Sequence, residues 1–154
     1  MINIITNIDK PIDRSQTKGN PGSVTHYGVA LSAKQVRLLK LLPEFDSKTV
    51  VRKSKASMVD LAALTAVTGD EFAMFTKGRE RLIIRGNKSS VNVTEEQAEF
   101  MRKEGYKWSG HTHPGYDDFS LAYSAGDIAI LKAFEQNESV IYNSLGHYQR
   151  FYIL

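Results

Sequence analysis

The sequence predicts a single α/β (α+β) domain with a mixed central β-sheet and flanking helices. Three observations lead there. Three helix starts share one capping chemistry, two pairs of short apolar runs flank glycine-containing turns, and helices interleave with strands along the chain. The 154 residues are one domain's worth of chain, long enough to bury a core. Hydrophobic residues at 42% and charged residues at 24% are ordinary for a globular protein.

Residues 1–28 read as a polar N-terminal arm or linker, and residues 29–154 as the domain. The stretch DKPIDRSQTKGNPGS holds Pro11, Gly19, Pro21 and Gly22 and shows no periodicity, as a joint to a larger parent protein would. Ser32-Ala-Lys-Gln35, Ser57-Met-Val-Asp60 and Thr94-Glu-Glu-Gln97 each place a hydroxyl at the N-cap and an acceptor three residues on. The first helix is predicted to run to about Leu42, before Pro43, with Val36, Leu39 and Leu42 as its core stripe. The second should stop near Gly69 and the third near Gly105, each glycine ending its helix.

Phe72–Thr76 and Arg81–Arg85 read as a hairpin around Lys77-Gly78, and Tyr106–His113 as a strand leaving the third helix. Asp127–Phe134 is apolar at helical spacing. Ser139–Asn143 and Tyr148–Ile153 close the chain as a hairpin around Leu145-Gly146. The predicted order is helix, helix, strand, strand, helix, strand, helix, strand, strand.

Several function classes drop out. The chain has no cysteine, so disulfides, thiolate nucleophiles, cysteine-held zinc and the Cys-dependent zinc deaminases are excluded. Any metal must be held by His, Asp or Glu. No apolar run reaches the roughly 20 residues of a membrane helix, and the start MINIITNIDK lacks the basic-then-apolar order of a secretory signal. The net charge of +3 is mild. Its one cluster, Arg52, Lys53 and Lys55, reads as a solvated face able to attract an acidic partner, not as a nucleic-acid footprint. His26 and His147 lack partner motifs, and Trp108 reads as core.

The chemistry concentrates in SGHTHPGYDDFSLAYSAGD, residues 109–127. His111 and His113 sit two apart at a strand end, so both imidazoles project from one face and can share a metal. Pro114 ends the strand. Ser124 is a natural N-cap, and Asp127 lies in the same first turn. Asp127 can complete a His₂Asp set and leave a fourth tetrahedral position for water, as a catalytic zinc requires. Asp117 or Asp118 in the intervening loop is an alternative third ligand, or simply a polar turn.

The pattern HxHP…SxxD resembles the JAMM signature of the JAB/MPN zinc metalloproteases and isopeptidases. The resemblance covers about residues 57–154, including the order of elements. It implies a JAB/MPN-like, cytidine-deaminase-like three-layer fold, with His111, His113 and Asp127 as zinc ligands. It further implies Glu71, between the second helix and the strand FAMF, as general acid/base on the water, and Ser124 as hydrogen-bond donor to the developing oxyanion. The ten residues from Pro114 to Tyr123 make a longer interval than the family's usual one, Tyr123 stands where proline is frequent, and Met74 where a small residue is common.

The expected function is therefore a zinc-dependent hydrolase that cleaves a peptide or isopeptide bond with a Glu general base. By resemblance the substrate is a peptide or protein, either a ubiquitin-like conjugate or a cell-wall-related or phage-tail peptide. The cytoplasm is the expected site of action. The polar arm and C-terminal module fit an effector or toxin domain delivered within a larger secreted bacterial or phage protein, with the parent or an immunity protein as partner. The rival expectation is an MPN-like binding module that keeps the scaffold without catalysis. A metal-dependent nuclease would need a basic groove around the histidines, against which the near-balanced charge argues.

Overall fold

Residues 30–153 are described by a computed structural model. The arm assigned to residues 1–28, with His26, lies outside them. In chain order the elements are α1 (Ala33–Lys40), β1 (Lys48–Arg52), α2 (Met58–Thr68), β2 (Phe72–Lys77), β3 (Glu80–Arg85), α3 (Glu95–Lys103), β4 (Lys107–His113), α4 (Ala125–Ala133), β5 (Glu138–Asn143) and β6 (Tyr148–Tyr152). Short 3₁₀ turns at Lys53–Lys55 and Asp118–Leu121 follow β1 and β4.

The helices begin where the capping chemistry puts them. Ser32, Ser57 and Thr94 are N-caps, and each forms the reciprocal box with Gln35, Asp60 or Gln97. Ser124 and Asp127 make a fourth box at the start of α4. Gly69 caps α2 in the left-handed conformation, and Gly105 follows α3 at φ 98°.

The six strands form one mixed sheet in the order β1-β3-β2-β4-β5-β6, antiparallel except for the parallel β4–β5 pair. Helices pack on both faces. Phe72, Met74 and Ile83 face Leu38 of α1 and Leu61 and Leu64 of α2. Ala73, Phe75, Trp108 and Ile141 face Ala98 and Met101 of α3 and Ile130, Leu131 and Phe134 of α4. The layering is helix, sheet, helix, which is the coarse architecture expected from the sequence.

Two expectations need correction. Strand β1 lies between the first two helices, where no strand was predicted; it is an edge strand paired only with β3, and its residues alternate between exposed and half-buried. The core stripe of α1 is also rotated. Val36 is 38% exposed, whereas Leu38 and Leu42, four residues apart, are buried and Leu39 is half-buried against them.

One irregularity shapes the site. Ala73 pairs with His111 and Met74 with Gly110, but Phe75 pairs with Trp108, so Ser109 is an extra residue in β4. The bulge turns Trp108 onto the same face as His111, and their rings stack at 5.0 Å.

Asp60 joins α1 to α2. Its carboxylate accepts from Ser57 N–H at 2.9 Å and Gln35 Nε2 at 3.0 Å, and pairs with Lys34 Nζ at 2.8 Å. Burial raises its pKa, but the bonds from Lys34, Gln35 and Ser57 together outweigh burial and hold it below the ordinary 3.8. A depressed folded pKa contributes stability above the unfolded value, and that contribution is lost as pH falls through the folded one. Asp60→Asn should therefore cost about 1–2 kcal/mol at neutral pH. In urea melts the gap from wild type should narrow below about pH 4; a gap that stays constant down to pH 2 would refute this account.

Candidate metal centre

Strand β4 delivers both histidines to the α3/α4 side of the sheet. Thr112, between them, points the other way: its hydroxyl meets Thr65 Oγ1 of α2 at 2.5 Å and accepts from Phe72 N–H at 2.9 Å. This ties the His-Thr-His segment to the first residue of β2, next to Glu71. The Glu71 backbone is in turn clamped by the following turn, its N–H donating to Asn87 O at 2.8 Å and its carbonyl accepting from Gly86 N–H at 2.7 Å. Potential ligand atoms of Glu71, His111 and His113 consequently lie within 4.8 Å of one another, and all three residues are buried.

Asp127 arrives from the start of α4. One carboxylate oxygen, Oδ2, accepts from Ser124 N–H at 2.9 Å, and Ser124 Oγ accepts from Asp127 N–H at 3.1 Å. The capping box thus orients the carboxylate and leaves Oδ1 2.9 Å from His111 Nε2. The positive end of the α4 dipole favours negative charge at the same spot.

These atoms suit a metal by two tests. Zinc bonds of about 2.0–2.1 Å in a tetrahedron set adjacent ligand atoms roughly 3.3 Å apart. Two separations lie just under that value, 2.8 Å between the two Nε2 atoms and 2.9 Å from His111 Nε2 to Asp127 Oδ1, while His113 Nε2 faces the other oxygen, Oδ2, at 3.9 Å. The second test is the donor set. His113 Nδ1 lies 3.1 Å from the Ser120 carbonyl, which can only accept, so Nδ1 carries the proton and Nε2 presents a lone pair. His113 Nε2 and Asp127 Oδ1 are then both acceptors beside His111 Nε2, which has one proton at most to offer. A cation placed among them would suit all three at once.

The surroundings are aromatic. Trp108 stacks on His111, Phe151 of β6 stands edge-on to both rings, and Tyr123 stacks on Phe151 at 5.6 Å. Such a wall lowers the local dielectric and strengthens charge interactions within it.

The structure brings together Glu71, His111, His113 and Asp127, and places Ser124 as the cap that orients Asp127. Neither alternative aspartate stands in this role. Asp117 Oδ1 accepts from Ser120 N–H at 3.2 Å, and Asp118 faces solvent. Asp70, the neighbour of Glu71, bonds Arg85 through Nε and Nη2, both at 2.9 Å. Trp108 is core, and His147 is exposed at the β5–β6 turn. Sequence reasoning missed the Ser120 carbonyl. The spacing Asp117-x-x-Ser120, an aspartate capping a turn, was the available signal.

Comparison with protein-family models, with curated proteins and with solved structures gives no significant match to this chain. No helix among the described residues is long and apolar enough to cross a membrane.

Proposed function

We propose that the protein is a zinc-dependent hydrolase of JAMM type that cleaves a peptide or isopeptide bond. The observation that supports this reading is the juxtaposition of His111 Nε2 and His113 Nε2 with the Asp127 carboxylate, and the buried Glu71 beside the two histidines. A JAB/MPN-like fold is the finer reading of the three-layer architecture, supported by the order of elements and the HxHP…SxxD pattern. The two histidines and Asp127 would hold the zinc, which when bound would supply an acidified water and a Lewis acid for the substrate carbonyl. Glu71 accepts the proton of the attacking water on its carboxylate and returns it to the leaving amine. Ser124 Oγ–H donates to the oxyanion that develops at the former carbonyl. The aromatic wall limits the access of competing water to these steps. The substrate is a peptide or protein, and a ubiquitin-like conjugate or a cell-wall-related peptide are the two classes to try first.

The test is elemental analysis of purified wild type beside His113→Ala, before and after zinc reconstitution. About one equivalent of zinc in the wild type, lost in the variant with its fold retained, is the expected result. No zinc in the reconstituted wild type would end the hydrolase reading in favour of a binding module.

A further inference from the structure

We propose that Asp117 is a positioning residue for the metal centre: through the Ser120 carbonyl it holds His113 in the tautomer that ligates. The metal role of His113 rests on the function proposed above, but the tautomer does not. Asp117 caps the 3₁₀ turn Asp118–Leu121, its Oδ1 accepting from Ser120 N–H at 3.2 Å, a donor shared with the Asp117 carbonyl oxygen, also at 3.2 Å. The Ser120 hydroxyl donates back to the Asp117 carbonyl, so Ser120 is tied to Asp117 by side chain and backbone alike. Ser120 is fully buried, and its carbonyl stands 3.1 Å from His113 Nδ1.

A free imidazole exchanges its proton between two nitrogens, and only the form protonated at Nδ1 offers Nε2 to a metal on this side. The Ser120 carbonyl selects that form. Such outer partners fix both the tautomer and the orientation of ligating histidines. The ten residues between His113 and Ser124 thereby acquire a role: they fold back seven positions from His113 to brace the ring they leave. Asp118, exposed and adjacent, carries the same charge without the cap, which makes it an internal control.

The experiment combines zinc affinity, by competition with a chromophoric chelator, and the His113 tautomer in the metal-free protein, by long-range ¹H–¹⁵N NMR. Asp117→Ala should weaken zinc binding about 10–100-fold and turn the His113 signals from Nδ1–H to a tautomer mixture. Asp117→Asn should restore both, because its amide oxygen still accepts from Ser120 N–H, and Asp118→Ala should change neither. If Asp117→Ala does not fold, Ser120→Ala loosens the turn from the other side and should move the same two readouts in the same direction. Wild-type tautomer and wild-type affinity in the folded variant would overturn the proposal. If the wild type itself binds no zinc, the hydrolase reading fails, while the tautomer measurement still decides whether Asp117 positions His113.

Discussion

Glu71→Gln is expected to fold, to load zinc like the wild type and to lose activity by about 10²–10⁴-fold, the usual worth of a positioned general acid/base. Glutamine preserves the shape of a side chain that is fully buried, and the backbone bonds to Gly86 and Asn87 that fix its position do not depend on the carboxylate. What the substitution removes is the ability to take a proton and give it back. The loss should therefore fall on kcat, with KM little changed. Metal content and melting temperature are measured beside the rate. Activity within about twofold of wild type, with zinc bound, would remove Glu71 from the mechanism and turn attention to water itself as the proton carrier.

Gly110→Ala is expected to be the most damaging conservative change on β4. Gly110 has φ 153°, where side chains are rarely tolerated, and a Cβ there would lie 2.8 Å from Val140 Cγ1, 3.0 Å from the Val140 carbonyl oxygen and 3.2 Å from Met58 Sδ. The Val140 carbonyl is backbone of the neighbouring strand and cannot step aside without disturbing the β4–β5 pair. Strain and overpacking together should cost about 2–5 kcal/mol, lowering Tm by on the order of 10 °C. The bulge that Gly110 permits also sets the Trp108–His111 stack, so zinc affinity should fall with stability. Gly146→Ala is the matched control: its φ of 82° is equally unusual, but nothing lies within 4 Å of the added methyl, leaving only about 1–2 kcal/mol of backbone strain. Equal losses in the two variants would show that crowding at Gly110 is not what matters.

Much of this was legible in the sequence because it is local. A hydroxyl and an acceptor three residues apart specify a helix start with little help from elsewhere, and all three boxes predicted from that spacing form. The His-Thr-His alternation likewise needs only a strand to put both imidazoles on one face. Strand β1 was missed although Thr49, Val50 and Val51 are β-branched, because the run is short and sits beside a basic stretch that reads as surface. The rotated stripe of α1 was missed because Val36 and Leu38 are both apolar, and only the position of α2 decides which is covered. The bulge at Ser109 and the Ser120 carbonyl left weaker traces still. A bulge depends on the partner strand, and a backbone carbonyl has no letter of its own.

The candidate ligands fall into two mechanically unequal halves. Strand β4 is a central strand, with His111 paired to both β2 and β5 and His113 to β5 alone, so the two histidines sit on the more rigid part of the site. Asp127 and the Ser120 brace sit instead on the first turn of a nine-residue helix and on a short surface turn, elements of the kind that open by local fluctuation. Were an ion bound there as proposed, its exchange with solvent would be gated from the Asp127 side, with the two imidazoles the steadier half. Release rates should follow the fraying of that helix start, whatever the stability of the domain as a whole.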